Sequence, residues 1–329
     1  FYHMCVNDLE ALDEYLLLTR PEIGALFDEL CSQKEEYGLQ GYIEKEYIDG
    51  IYTAAKQIAD DDDIKIVALA GPSGSGKTTS AHILADRLTE LGETTIIVSL
   101  DDFYLSEDKL PLLENGKKDI ESPASLDSEL IKKCLNEIVK SGKSKLPHYD
   151  FKTKTTHKEV NSVDIGAKGI VIVEGLHALN PVITDLVPRK NIYKIYVSVN
   201  CGVSDDFGEK LLSSRQIRLM RRSLRDEIFR GSNINSTLTM WEDVVAGERK
   251  YLYCFKDTAD FTLKTFHPFE PALYKKRFTE MLCEVDKNHK GYNYFLKTVK
   301  GVKDFCDLDS DLVPNDSLIR EFIGDGKYN

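Results

Sequence analysis

The chain has 329 residues, of which 42% are hydrophobic and 30% are charged, a composition typical of a globular protein with a sizeable core. Its 43 Lys and Arg against 55 Asp and Glu give a formal charge of −12, which argues against general nucleic-acid binding. No apolar run approaches the roughly 20 residues that a membrane-spanning helix needs, so no membrane association is expected. The seven cysteines are widely spaced without a CxxC pair, and no signal peptide is recognisable, which together predict a cytoplasmic protein with reduced thiols.

The hydrophobic pattern predicts two parts. Residues 1–62 are expected to form an N-terminal helical segment, with apolar residues at helical spacing over 43–60, followed by an acidic linker at Asp60–Asp63. From residue 63 to 329, short apolar runs alternate with helical patterns. The predicted strands are 64–70, 94–100, 169–173, 192–199 and 260–263, and the predicted helices are 77–91, 126–141, 211–230, 236–247, 271–285 and 292–306. This alternation predicts an α/β fold, a three-layer parallel sheet with helices on both faces.

The clearest motif follows the first of these strands, where residues 71–78 read GPSGSGKT and match the phosphate loop G-x-x-x-x-G-K-[ST]. Glycines let the backbone approach an anion, and successive N–H groups at the start of the next helix surround its charge. Lys77 is expected to reach the β- and γ-phosphates, and the Thr78 hydroxyl to bind magnesium. The predicted nucleotide-binding residues of this loop are Gly71, Ser73, Gly74, Ser75, Gly76, Lys77, Thr78 and Thr79.

A phosphate loop leaves the reaction open between a GTPase, a motor or transporter ATPase, and a small-molecule kinase. The chain has neither an N-K-x-D guanine signature nor an LSGGQ-like transporter signature. The strand that would supply a Walker B acid ends at Glu174-Gly175 without an Asp-Glu pair. These absences favour the kinase.

Two carboxylates follow predicted strands, Asp101 after the second and Glu174 at the end of the third. In an open parallel sheet the ligand lies at the carboxyl ends of the strands, so both are expected beside the phosphate loop. Asp101 is placed to accept the proton of an attacking hydroxyl, and both side chains are candidate magnesium ligands. The alternatives are a solvated turn carboxylate for Asp101 and a helix cap for Glu174.

Six arginines crowd the stretch from 215 to 230 in an otherwise acidic chain. Arginine suits bidentate phosphate contact, and four of the six recur at three- and four-residue intervals, which predicts a shared helix face. The six are Arg215, Arg218, Arg221, Arg222, Arg225 and Arg230. We expect an Arg-rich helical lid over the phosphates; the alternative is a solvated basic helix paired with acidic residues.

With these motifs the chain resembles the uridine kinase and phosphoribulokinase group of P-loop kinases. The matching segments are GPSGSGKTT at 71–79, SLDDFY at 99–104, ESPASLD at 121–127, PHYDF at 147–151, EGLHALNP at 174–181 and RLMRRSLRDEIFRG at 218–231. The resemblance implies ATP and Mg²⁺ as cofactors and four catalytic residues, Lys77, Asp101, Arg222 and Arg225. It implies Thr78, Asp101 and Glu174 for magnesium, and Arg225 and Arg230 for the nucleotide. For the acceptor it implies Asp101, Tyr104, Glu121, Tyr149, Phe151, Lys154, His177 and Arg222.

Further segments, MWEDVVAGERKY at 240–251 and SLIREFIG at 317–324, look like a longer branch of this group. Its members often carry an N-terminal region similar to part of threonyl-tRNA synthetase. On this resemblance residues 63–329 are a kinase domain with a C-terminal helical extension, and residues 1–62 are the joint. A homo-oligomer is compatible with these sequence predictions.

The acceptor is less well defined than the donor. Pyrimidine nucleoside kinases typically have Asp-His-Pro at 121–123, a His near 154 and an Arg at 232, where this chain has Ser122, Lys154 and Ser232. A nucleoside-like alcohol remains the leading acceptor. The alternatives are another small acceptor, such as a sugar phosphate or a vitamin precursor, and a nucleotide-binding regulatory module without turnover.

Overall fold

A computed structural model describes residues 16–19, 44–113, 116–150, 153, 155–166, 168–205 and 207–328. At its centre is a five-stranded sheet in the order β10-β7-β2-β6-β3, in which every neighbouring pair is parallel. The described strands are β1 Leu16–Thr19, β2 Ile66–Ala70, β3 Thr95–Ser99, β4 Lys143–Asp150, β5 Thr155–Asp164, β6 Ile170–Glu174, β7 Ile192–Ser198, β8 Cys201–Ser204, β9 Lys210–Leu212 and β10 Phe261–Lys264. The described α-helices are α1 Lys45–Ala59, α2 Lys77–Glu90, α3 Ser128–Ser141, α4 Pro181–Thr184, α5 Ser214–Arg230, α6 Ile234–Tyr251, α7 Glu270–Met281, α8 Tyr292–Val302 and α9 Arg320–Ile323.

The central strand β2 shows how the three layers form. All five of its residues are buried, and alternate side chains point to opposite faces of the sheet. Val67 and Leu69 enter one hydrophobic core, together with apolar residues of α1, α2, α5 and α7. Ile66 and Ala68 enter the other core, which α3 covers. The predicted three-layer α/β fold is therefore confirmed.

From residue 63 onward the structure contains every strand and helix that the hydrophobic pattern predicts. Of the predicted N-terminal helical segment at 1–62, Lys45–Ala59 is a helix, Leu16–Thr19 is a strand instead, and residues 1–15 and 20–43 lie outside the described residues. The structure also has two small sheets that the pattern did not predict. Strands β4 and β5 form an antiparallel hairpin, and β8 pairs with β1 in parallel and with β9 in antiparallel fashion. These strands are short or largely polar, so their stability depends on pairing between distant residues rather than on a local apolar run.

Helix α1 packs on the sheet face that also carries the phosphate loop helix α2. Tyr47, Ile51 and Ile58 are buried in the first core, and the Tyr47 hydroxyl lies 3.0 Å from Ser80 Oγ of α2. The acidic run after α1 is a tight turn leading to β2, in which Asp63 forms an ion pair with Lys190 at 3.2 Å. The division of the chain at residues 62 and 63 stays a prediction. No helix in the described ranges has the length and apolar character needed to cross a membrane.

Candidate active site

A cleft of about 200 Å³ opens at the carboxyl ends of β2, β3 and β6. The loop at residues 71–78, called the phosphate loop below, leaves β2, while Asp101 follows β3 and Glu174 ends β6. Both carboxylates line the same cleft as the phosphate loop. The phosphate loop and the two carboxylates therefore meet at the carboxyl ends of the strands, as expected.

The phosphate loop needs glycine at two positions for backbone reasons. Gly74 and Gly76 have φ angles of 74° and 85°, in the left-handed region, and Gly76 immediately precedes α2. A Cβ at Gly74 would lie 2.8 Å from the carbonyl oxygen of Arg218. Lys77 Nζ donates to the Pro72 carbonyl at 3.3 Å, and burial lowers the pKa of its ammonium group. The loop is thus compact and packed directly against α5.

Three side chains from α5 and α6 form hydrogen bonds with Ser73 of the phosphate loop. Glu248 accepts a hydrogen bond from the Ser73 N–H at 2.7 Å, and Arg218 donates to the Ser73 carbonyl at 3.0 Å. Arg222 donates to Ser73 Oγ at 2.7 Å. Arg218 and Glu248 also form a buried ion pair at 2.9 Å, so the side of this network that faces the core is desolvated.

A second buried ion pair supports Gly74, the residue after Ser73 in the phosphate loop. Arg221 pairs with Glu270 at 2.5 Å, and both side chains are fully buried. Arg221 also donates to the Gly74 carbonyl at 3.2 Å, and Thr265 Oγ1 donates to the Ser75 carbonyl at 2.8 Å. Two of the six arginines, Arg218 and Arg221, are therefore structural supports of the loop, which differs from the expected role in a lid over the phosphates.

The remaining arginines of α5 that reach the cleft gather around one acid. Asp226 is buried and pairs with Arg225 at 2.9 Å, Arg222 at 3.2 Å and Arg230 at 3.6 Å. These three arginines line the cleft. Asp226 offsets part of their mutual repulsion, so the cleft retains an arginine cluster suited to phosphate groups.

Asp101 and Asp102 have different surroundings although they are neighbours. Asp102 accepts hydrogen bonds from the Tyr149 N–H at 3.1 Å and lies 3.0 Å from His148 Nδ1, so it anchors the β4–β5 hairpin. Asp101 lines the cleft instead. Burial raises the pKa of Asp101, and the charge of Lys77 opposes that shift. Of the two, Asp101 has the position that a general base requires.

Glu174 is buried at the base of the cleft and accepts a hydrogen bond from Ser99 Oγ at 2.7 Å. Burial, followed by the charge of Asp101, raises the pKa of Glu174 to about 7. Two carboxylates that disfavour each other's ionisation make a suitable place for a cation. Within the described ranges no three His, Cys, Asp or Glu side chains form a metal cage. Asp101, Glu174 and the Thr78 hydroxyl fit Mg²⁺, which takes few protein ligands and completes its shell with water and phosphate.

Two of the predicted acceptor residues, Tyr104 and Glu121, line the cleft together with the phosphate loop. Burial, followed by the charge of Glu248, raises the pKa of Glu121 to about 7. Tyr149 packs on Tyr104 with ring centroids 5.6 Å apart, one layer behind the cleft.

His177, another predicted acceptor residue, does not line the cleft. His177 is buried against Tyr251, with ring centroids 5.9 Å apart, and burial lowers its pKa to about 4. It therefore supports the cleft from behind. Phe151 and Lys154 lie outside the described residues.

The structure brings most of the predicted residues to one cleft. Those lining it are Ser73, Gly74, Gly76, Lys77, Thr78, Asp101, Tyr104, Glu121, Glu174, Arg222, Arg225 and Arg230. Gly71, Ser75 and Thr79 lie behind the lining, in the strand-to-loop turn and in α2. Two acidic residues of the cleft, Glu248 and Glu321, were not predicted. Both fall in motifs noted above, at 240–251 and 317–324, but no local pattern gave either a role.

A strand, a phosphate loop and a helix at the edge of a parallel sheet, facing an acid and an arginine cluster, define a P-loop kinase site. Residues 66–267 match the profile of the phosphoribulokinase / uridine kinase family. The uridine kinase of Ureaplasma parvum is 28% identical over 181 residues, 55% of this chain and 78% of that protein. The uridine kinase of Clostridium novyi is 31% identical over 180 residues, 55% of this chain and 76% of that protein.

The chain belongs to the phosphoribulokinase / uridine kinase family. Among solved structures, a possible uridine kinase from Bacillus stearothermophilus aligns with a TM-score of 0.38 at 23% identity, covering 45% of this chain and 79% of that one. A putative fructose transport system kinase from Silicibacter aligns with a TM-score of 0.46 at 20% identity, covering 64% of this chain and 98% of that one. Membership of this family makes the chain a P-loop kinase that acts on a small metabolite.

Proposed function

We propose that this protein transfers the γ-phosphoryl group of ATP, with Mg²⁺, to a hydroxyl of a nucleoside-like small molecule. One observation carries the proposal: Lys77 and Asp101 share one cleft and lie close enough that each shifts the pKa of the other. A cation for the donor phosphates beside a base for the acceptor hydroxyl is what phosphoryl transfer requires.

Catalysis would consist mainly of positioning and electrostatics. Lys77, Arg222 and Arg225 would stabilise charge on the transferred group, while Asp101 would accept the proton of the attacking hydroxyl. Magnesium, when bound by Thr78, Glu174 and Asp101, would neutralise charge between the β- and γ-phosphates. The Ser73 and Gly74 supports from α5 keep the phosphate loop in shape before the donor arrives.

A nucleoside-like acceptor is supported by the uridine kinases among the relatives and by Tyr104, whose ring lines the cleft with Tyr149 packed behind it and offers apolar surface for a planar base. We further propose that uridine and cytidine are poor acceptors within this class. Ser122 and Ser232 stand where pyrimidine kinases typically carry His and Arg, and the Ser122 hydroxyl accepts a hydrogen bond from the Ala124 N–H instead. A site without hydrogen-bonding groups that match uracil and cytosine gains little affinity for those bases.

The experiment is a coupled measurement of ADP release over uridine, cytidine, purine nucleosides, sugars, sugar phosphates and vitamin-like alcohols. Lys77→Ala is the matched control, because it removes the cation opposite the phosphates and is expected to cost on the order of 3 kcal/mol in the transition state. Acceptor-dependent ADP release that the folded Lys77→Ala protein lacks supports the proposal. ATP binding without turnover on any acceptor would favour a regulatory module. A clear preference for uridine would contradict the proposed acceptor range.

A further inference from the structure

A carboxylate from residues 313–328, called the C-terminal segment below, lies inside the cleft. Glu321 accepts hydrogen bonds from the Thr79 hydroxyl at 2.9 Å and from the Thr79 N–H at 3.4 Å. Its second carboxylate oxygen lies 3.9 Å from the guanidinium of Arg225. Thr79 is the third residue of α2, so its N–H has no acceptor within the helix. In a phosphate loop such N–H groups cradle the α- and β-phosphates of a nucleotide.

We propose that Glu321 occupies the place of a nucleotide phosphate, and that the C-terminal segment therefore competes with the donor nucleotide. The inference rests on the proposed function, which makes the phosphate loop the donor site. A carboxylate and a phosphate need the same donors at Thr79 and Arg225, and both anions cannot use them at once because their charges repel at contact distance. Nucleotide binding then requires that Glu321 leave the cleft.

Contacts on both sides of Glu321 hold the C-terminal segment over the cleft. The Ser317 hydroxyl donates to the Glu44 carboxylate just before α1, and both side chains are buried. On the other side Lys327 forms an ion pair with Asp86 of α2 at 2.6 Å, and those side chains are about half exposed. Exposed ion pairs contribute little to stability, so this second tether is the weaker one. The tethers keep Glu321 at a high local concentration beside Thr79. Leu318, Ile319 and Phe322 are fully buried, so withdrawal of Glu321 requires a local rearrangement of α9.

The structure also has space into which the segment can move. Behind α9 lies a cavity of about 690 Å³, lined by Phe322 and Ile323 of the segment and by Leu224 and Leu273 opposite. Glu321 faces the cleft while its next neighbours face the cavity, so the short helix is the wall between the two. A shift of this wall into the cavity would withdraw the carboxylate from Thr79 without breaking the sheet.

The test measures the dissociation constant of Mg-ATP by calorimetry on the full chain, for wild type, Glu321→Gln and Glu321→Ala. If Glu321 occupies the site nine-tenths of the time, apparent affinity is reduced about tenfold, and both variants are expected to bind roughly tenfold tighter. Asp311→Asn is the matched control, since it removes an exposed charge near the segment but outside the cleft. Its dissociation constant is expected to equal that of wild type.

A gain in affinity is a result that damage to the fold would not produce. Asp86→Ala provides a second variant, because it loosens a tether without touching the cleft, and it is expected to tighten binding by a smaller factor. Addition of ATP to wild type is expected to raise amide hydrogen exchange in residues 313–328. Unchanged or weaker binding in both Glu321 variants overturns the inference alone. Absence of ATP binding in every variant overturns the donor site and with it the inference.

Discussion

Asp101 and Asp102 follow the same strand, and the sequence predicted Asp101 rather than Asp102 as the base. The structure separates them, because Asp102 binds the hairpin backbone while Asp101 lines the cleft. We expect Asp101→Asn to lower kcat by about 10²–10⁴-fold with little change in ATP affinity, since a general base acts on the acceptor hydroxyl. Steady-state kinetics on the best acceptor, with ATP binding measured separately, check this.

The matched variant Asp102→Asn is expected to retain most activity and to lower the unfolding midpoint, because it weakens the contacts to His148 and Tyr149. If Asp102→Asn abolishes turnover and Asp101→Asn does not, the two roles are reversed.

The raised pKa of Glu121 predicts that the stability of the folded protein depends on pH. Burial and the charge of Glu248 raise its pKa from 4.5 to about 7, so the folded protein favours its protonated form. The resulting stabilisation is fully present below pH 4.5 and is lost as the pH rises to 7. We therefore expect Glu121→Gln to leave the unfolding midpoint unchanged at pH 5, where Gln resembles the protonated acid, and to raise it at pH 8.

Thermal unfolding without nucleotide or metal measures this difference. The exposed Glu129→Gln is the control, and its effect is expected to be the same at both pH values. An equal effect of Glu121→Gln at pH 5 and pH 8 contradicts the prediction.

At the scale of single residues, the sequence predicted what short motifs encode. Lys77, Asp101 and Glu174 were identified because a strand, its carboxyl end and the residue type lie close together in the chain. Glu248 and Glu321 escaped prediction because they are 175 and 242 residues from their partners on the phosphate loop and on α2. Such contacts arise only when α6 and α9 pack beside the loop, which no local pattern reports.

At the scale of elements, α5 was predicted as a helix with one arginine face, and the structure divides that face. Arg218 and Arg221 lie in buried ion pairs beneath the phosphate loop, whereas Arg222 and Arg225 line the cleft. The sequence shows that this face is positively charged, but it does not show which arginines form ion pairs with buried carboxylates. The partners, Glu248 and Glu270, come from two later helices.

The Arg218–Glu248 pair allows stability and positioning to be separated. Glu248→Leu alone leaves a buried charge without its partner and is expected to cost about 3–5 kcal/mol of unfolding free energy. The double variant Arg218→Met with Glu248→Leu is expected to recover most of that stability, since apolar side chains can replace a buried pair. ATP affinity is expected to stay low in both variants, because neither can hold the Ser73 backbone.

Denaturant unfolding and calorimetric ATP binding, run on the same samples, check this prediction. Recovery of ATP affinity together with stability in the double variant would show that the pair supports only the fold. Arg277, whose ion pair with Glu227 is partly exposed and remote from the cleft, supplies the control variant Arg277→Met.

At the scale of the whole molecule, the parallel sheet was predictable because its strands are continuous apolar runs with helices between them. The β4–β5 hairpin was not, since its strand Lys143–Asp150 is largely polar in sequence and is interrupted by Pro147. The placement of α1 was also not predicted. Its helical pattern was evident, but only the tertiary structure shows its packing against α2 and β10.

The packing of α1 gives the predicted boundary at residue 62 a direct test. Ile51 and Ile58 are fully buried in the first core, and burial of each such side chain contributes about 1.5–3 kcal/mol. That sum is a large part of the roughly 5–15 kcal/mol that stabilises a domain. We expect a chain of residues 44–329 to unfold cooperatively and one of residues 63–329 not to, as measured by thermal unfolding. Cooperative unfolding of the shorter chain would place the boundary at residue 62.

The buried Glu174 also makes the cleft a source of protons. With a pKa of about 7, its carboxyl group is protonated about half of the time in neutral solution. If Glu174 holds Mg²⁺ as proposed, a divalent cation arriving with the nucleotide is expected to favour the ionised form, so that the proton passes to the surrounding buffer. The heat of nucleotide association is then expected to contain the protonation enthalpy of that buffer and to differ between phosphate and Tris. Calorimetry in the two buffers would thus report binding at the proposed metal position even when no acceptor is present.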